Sequence, residues 1–91
     1  MAHIADGKDK LVARVRRIAG QVAAIERAIT EEAGCTAVLH QVAAVRGAVG
    51  GLMDQLIEEH LREHVAQPDL DAAERAKGAD ELIEAMRRYA K

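Results

Sequence analysis

Aromatic residues are nearly absent: one Tyr, no Trp and no Phe in 91 residues. That argues against a protein that stacks the bases of single-stranded nucleic acid on aromatic side chains. It also leaves Ala, Val, Leu and Ile to build the core, too little for a chain this short to bury well alone, so oligomerisation is expected. The single Cys, Cys35, excludes an intrachain disulfide and fits a reducing cytosol, hence a cytoplasmic location. No apolar run approaches the roughly 20 residues of a membrane span, and no signal peptide is visible. Alternating β-branched runs bounded by hairpin turns are missing. So are a cofactor motif and an evident catalytic dyad, so an enzyme is not expected. The length suits one domain over residues 1–91, with no low-complexity segment and no convincing repeat.

What remains is helical periodicity, which predicts an all-α chain of three helices at about 6–31, 35–65 and 71–90. In the first, Leu11, Val15, Ile18, Val22, Ile25 and Ile29 step 4-3-4-3-4, a coiled-coil-like seam, with Gly34 suited to the position just past its end. In the second, Val38, Val42, Val45, Val49, Leu52 and Leu56 repeat that step. A flanking row, Leu39, Ala43, Arg46, Gly50, Met53 and Ile57, runs on into His60 and His64. Two adjacent rows imply more than one packing neighbour. Gly47, Gly50 and Gly51 sit mid-helix at a cost of roughly 1 kcal/mol each relative to Ala. Gln67 and Pro68 interrupt the chain, and Asp71 with Glu74 forms a capping-box pattern for the third helix. That helix is expected to turn Leu82, Ile83, Met86 and Tyr89 inward, and Gly78 weakens its first turns.

Cys35, His60 and His64 share one stripe of the second helix. At about 100° per residue, His60 falls roughly 20° to one side of Cys35 and His64 roughly 20° to the other. At ~1.5 Å rise per residue, about 37 Å still separates Cys35 from His60. The three can meet only if a second copy of the helix runs antiparallel. The two-fold axis then falls near Ala48 and Val49, among the glycines. Each part alone reads blandly: two solvated histidines among Glu58, Glu59, Arg62 and Glu63, and a lone Cys of the kind that is usually a small buried hydrophobe. The shared azimuth favours a metal site. His3 is a further candidate: removal of Met1 would expose the Ala2 amine beside the His3 imidazole, against the competing reading of a disordered tail. His40 reads as surface. Copper(I) would favour two thiolates, whereas nickel(II), cobalt(II) and zinc(II) accept one thiolate with nitrogens.

Charge is unevenly spread. Residues 8–17 hold Lys8, Lys10, Arg14, Arg16 and Arg17 against Asp9, while the acids gather after residue 53 and the formal charge is −2. Lys10, Arg14, Arg17 and Gln21 step 4-3-4, which would make the face opposite the Leu11–Val15–Ile18 seam cationic. Such a face is either solvated surface or a contact for duplex phosphates. There is no helix-turn-helix pattern, so flat faces of an oligomer would read the DNA backbone and its shape.

Several stretches together resemble the bacterial copper-sensitive-operon repressor family of small all-α regulators. They are Arg14-Val15-Arg16-Arg17-Ile18-Ala19-Gly20-Gln21, Cys35 opening the second helix, Gln41-Val42-Ala43-Ala44-Val45-Arg46-Gly47-Ala48 with Gly51-Leu52-Met53, and His60-Leu61-Arg62-Glu63-His64. The resemblance covers essentially the whole chain. It implies an antiparallel four-helix-bundle dimer paired into a disc-shaped homotetramer, a dimer of dimers that binds double-stranded operator DNA when free of ligand. Copper sensors carry a second Cys where this chain has His64, and persulfide sensors also need two. His3, Cys35, His60 and His64 together look like the nickel/cobalt-sensing branch, which represses an efflux pump until metal binds. The formaldehyde-sensing branch shares Cys35 and often His60, and bridges an N-terminal proline amine to the Cys. Here Ala2 stands in place of that proline, and those sensors commonly lack a His at the position of His64.

The resulting expectation is a metal-responsive repressor. Lys10, Arg14, Arg16, Arg17 and Arg46 would contact operator phosphates. Ala2, His3, Cys35, His60 and His64 would hold Ni(II) or Co(II), with Zn(II) as a further candidate. The alternatives are a formaldehyde response through Ala2 and Cys35, and a helical oligomer that stores metal.

Overall fold

Helical periodicity places the elements to within two residues. A computed structural model describes residues 7–89, in which α1 spans Lys8–Thr30, α2 Cys35–His64 and α3 Ala72–Tyr89, with no strand among the described residues. The expected start of the first helix at Asp6 and the end of the third at residue 90 lie outside them. No helix among the described residues is long and apolar enough to cross a membrane.

The stop between α1 and α2 differs from the expectation. Ala33 N donates to Ala28 O at 2.9 Å and Glu32 N to Ile29 O at 3.2 Å, the paired bonds of a Schellman ending. The left-handed residue of that motif is Glu32, with φ 55°, not Gly34. Gly34 instead takes φ 104° immediately before Cys35, and its carbonyl accepts from Val38 N as α2 begins. Two left-handed residues in three fold the chain back within a four-residue link.

The capping box at α3 forms as expected. Glu74 N donates to Asp71 Oδ1 at 2.7 Å, and Asp71 N donates to Glu74 Oε1 at 3.0 Å. The preceding linker is held by Arg75, whose guanidinium donates to the carbonyls of Val65, Gln67 and Leu70. Charged donors to backbone carbonyls are worth about 1.5–3 kcal/mol each, so one side chain fixes where α3 starts.

Two compact units divide the chain, and the boundary falls inside α2. One is Lys8–Leu52, an antiparallel pairing of α1 with the first part of α2. The other gathers Gly7 with the described residues from Met53 onward, and there α3 packs on the last turns of α2.

Both apolar seams split in two. Leu11, Ile18 and Ile25 are covered to different degrees, whereas Val15, Val22 and Ile29, the alternate members, stay exposed. In α2, Val38, Val45 and Leu52 are half-buried, whereas Val42, Val49 and Leu56 are exposed. One heptad row of each helix is thus covered within the chain and the other is left bare. Only Leu11 and Ala28 are buried hydrophobics among the described residues. The inward-facing set expected for α3 is also corrected: Leu82 is half-buried, but Ile83, Met86 and Tyr89 are exposed. Ile83 lies off the covered face, and Met86 and Tyr89 lie one and two turns past Leu82, where coverage falls away.

Candidate metal centre and nucleic-acid face

His60 and His64 close the C-terminal end of α2. Their i, i+4 spacing brings the imidazoles close, with ring centroids 4.8 Å apart and planes inclined at 39°. Both are half-buried. His60 Nε2 donates to the carbonyl oxygen of Gly78 in α3 at 3.0 Å. A groove opens beside the pair, bordered by Glu74, Lys77 and Glu81 of α3. Two imidazoles at this spacing suit chelation of one divalent first-row ion.

Cys35 stands at the other end of the same helix, as its first residue, exposed and with a free thiol. No acidic residue occupies the first turn of α2. Cys35 borders a mainly apolar groove with Ile29, Val38 and Leu39. His40 is exposed, as expected of a surface residue. Among the described residues of one chain, no three His, Cys, Asp or Glu side chains converge as a metal cage. The structure therefore brings His60 and His64 together and leaves Cys35 apart from them. Ala2 and His3 lie outside the described residues.

The cations of α1 divide differently from the expectation. Lys10, Arg16 and Arg17 are exposed, as is Arg46 of α2. Arg14 is half-buried, and its Nη1 lies against Gly51, where a Cβ would displace it. The physical reason is azimuth: the Lys10–Arg14–Arg17 row lies about 90° round the helix from the Leu11 seam, not opposite it. A side chain at that angle can fold over the neighbouring helix. Gly51 provides the space, while Gly47 and Gly50 meet nothing within 4 Å. Among the described residues, the ion pairs are Arg62–Glu58 and Arg88–Glu84, so none of these five cations is neutralised by a described carboxylate.

Sequence reasoning missed two residues. Gly78, read as a weak point of α3, is the buried contact of α3 with the His60–His64 end of α2. Arg75 went unremarked, and no local pattern marks a side chain that binds three carbonyls of a preceding linker.

Comparison with known proteins gives consistent matches. A family described as metal-sensitive transcriptional repressors matches residues 7–88. Over 91 residues, the full length of both chains, the sequence is 48% identical to an uncharacterized protein in the bioA 5′ region of Serratia marcescens. It is 42% identical, again over both full lengths, to the transcriptional repressor RcnR of Salmonella paratyphi B. Among solved structures it is similar to a glutamate-to-histidine variant of the formaldehyde-responsive regulator FrmR from Salmonella enterica serovar Typhimurium. The TM-score there is 0.85 at 42% identity, covering 92% of this chain and 94% of that one.

Proposed function

Because the chain belongs to the family of metal-sensitive transcriptional repressors, we propose that it holds operator DNA when metal-free and releases it on binding Ni(II) or Co(II). The regulated gene would be one for metal efflux, and the protein would act in the cytoplasm with residues 1–91 working as one domain. The observation that carries this reading is the close, tilted His60–His64 pair, 4.8 Å between ring centroids. Cys35 of a second, antiparallel copy would complete the set with a soft donor. The bare rows Val15–Val22–Ile29 and Val42–Val49–Leu56 support such an assembly, because apolar residues repeating at heptad spacing and left exposed are what a partner helix would cover. A homotetramer built from two such dimers fits the same surface.

The N-terminal donors are supported by chain reach. Gly7 is buried beside the Glu59 carboxylate, 2.8 Å from where its Cβ would be to Oε1, and Glu59 adjoins His60. From Gly7, four extended residues to His3 span about 13 Å and five to Ala2 about 17 Å, a length that would let both extend toward the imidazole pair.

Exposed Lys10, Arg16, Arg17 and Arg46 would lie against phosphates, with Arg14 held at the rim by Gly51. Release then follows from linkage: an ion that binds the DNA-free form more tightly weakens DNA binding by the same factor, about 5–150-fold for a coupling of 1–3 kcal/mol. Lys10→Ala with Arg17→Ala should weaken operator binding without changing metal affinity. It should also lower the salt slope of log K by about two for each protomer that lies on the DNA. Gel retardation across a salt series reads both; an unchanged slope would take these cations off the DNA face.

A formaldehyde response through Cys35 and the Ala2 amine is the second reading, favoured by the exposed thiol and the likeness to the formaldehyde-responsive regulator. The storage alternative has no support in a family of repressors. The two responses separate in parallel titrations of reduced protein on labelled operator DNA, one with Ni(II) or Co(II) and one with formaldehyde. Metal should release the DNA at lower concentration. His64→Ala should weaken the metal response at least tenfold and leave any aldehyde response intact. Release by formaldehyde alone would decide for the second reading.

A further inference from the structure

The hydrogen that His60 shares with α3 decides which of its ring nitrogens is left for an ion. A carbonyl oxygen only accepts, so the proton in the 3.0 Å contact with Gly78 O belongs to Nε2. In the neutral ring, Nδ1 then keeps its lone pair. The acceptor is backbone, and it reaches the ring because residue 78 has no side chain. A Cβ there would run into the His64 carbonyl oxygen, and would stand 2.7 Å from His64 C and 2.9 Å from its Cβ. These are main-chain atoms and the root of a side chain, which cannot swing aside as a long side chain's tip can. Gly78 is also buried. A glycine inside a helix costs about 1 kcal/mol relative to Ala, and this one falls where α3 meets both imidazoles.

We propose that Gly78 is a positioning residue for metal binding: the close approach that only glycine permits lets its carbonyl hold His60 as the Nε2–H tautomer, so that Nδ1 faces the ion. This rests on His60 being a ligand and adds what orients it. Two other devices keep the register of α3 that aims the carbonyl: the Asp71–Glu74 capping box and the Arg75 clamp on Val65, Gln67 and Leu70. Removing the partner that orients a ligating imidazole typically lowers metal affinity 10–100-fold.

The first test needs no variant. Long-range proton–nitrogen NMR spectra of the metal-free full-length protein, labelled at histidine nitrogen and held at pH 8, should show His60 with Nε2 protonated and Nδ1 bare. A protonated Nδ1, or rapid averaging of the two tautomers, would overturn the proposal. The second test is a double-mutant cycle read by Co(II) titration. Gly78→Ala should weaken Co(II) binding about 10–100-fold and abolish the tautomer preference. In a His60→Ala background, the same substitution should cost several-fold less, because only its push on His64 remains once the ring it orients is gone. Equal losses in both backgrounds would reduce Gly78 to a packing residue. If His60→Ala itself left Co(II) affinity unchanged, the ligand assignment would fail instead, a different outcome from the first.

Discussion

Cys35→Ala should leave operator binding intact and abolish release by metal. The thiol is exposed and its removal opens no core cavity, so the substitution should change stability by less than about 0.5 kcal/mol. The cations proposed to touch DNA lie on α1 and at Arg46, away from the start of α2 in sequence, and none depends on the thiol for its placement. What is lost is the soft donor. Without it, an ion gains nothing from the assembly beyond what a pair of imidazoles offers, and its preference for the DNA-free form disappears. The measurement is operator affinity with and without Ni(II) or Co(II). Wild type should lose about 5–150-fold on adding metal, and the variant should show a ratio near one. Retained metal release in Cys35→Ala would remove the thiol from the site. The same variant is silent on the choice of effector, since formaldehyde capture as proposed would also need Cys35, and that choice falls to His64.

The helices, their ends and the capping box were legible in the sequence because each is written in local terms. Heptad steps show as spacing, and Asp71 and Glu74 lie three residues apart and satisfy each other's backbone N–H groups. The candidate metal ligands were proposed on similar terms: one azimuth on one helix groups Cys35, His60 and His64, and the structure pairs His60 with His64. Readings that depended on packing between elements failed. Gly34 looked like the stop of α1, but Glu32 takes the left-handed turn and Gly34 the next one. A Glu with positive φ carries no mark in the sequence. Arg14 was expected on a cationic face opposite the seam, yet a row a quarter turn from the seam lets its guanidinium fold over Gly51. Gly78 looked like a flaw in α3, because only the crossing of two helices shows that a Cβ there would strike the main chain of His64. The central glycines of α2 divide on the same ground. Gly51 has its occupant within the chain, whereas Gly47 and Gly50 face open space, as a residue awaiting the backbone of another copy would.

Mixing two defective chains should restore a site that neither has alone. Because α2 is one helix from Cys35 to His64, an ion held by the thiol and both imidazoles, as proposed, would have to be shared between two chains. A Cys35→Ala chain still has both imidazoles, and a His60→Ala, His64→Ala chain still has the thiol. In a symmetric antiparallel dimer of one with the other, one of the two sites regains Cys35, His60 and His64 together and the second lacks all three. Dissociated and reassembled at equal amounts, random pairing makes half the dimers mixed. Tight metal capacity should then return to about a quarter of the wild-type value, from essentially none in either parent. The bare rows along α1 and α2 supply the force for reassembly, since Val22 and Val49 are 50% and 45% exposed in the lone chain and would be covered in the pair. Val49→Glu on both chains places a charge in that seam and should prevent both dimerisation, read by sedimentation, and the recovery of metal binding. Recovery in a monomeric particle, or none in a mixed dimer shown to form, would mean that the thiol and the imidazoles never shared an ion.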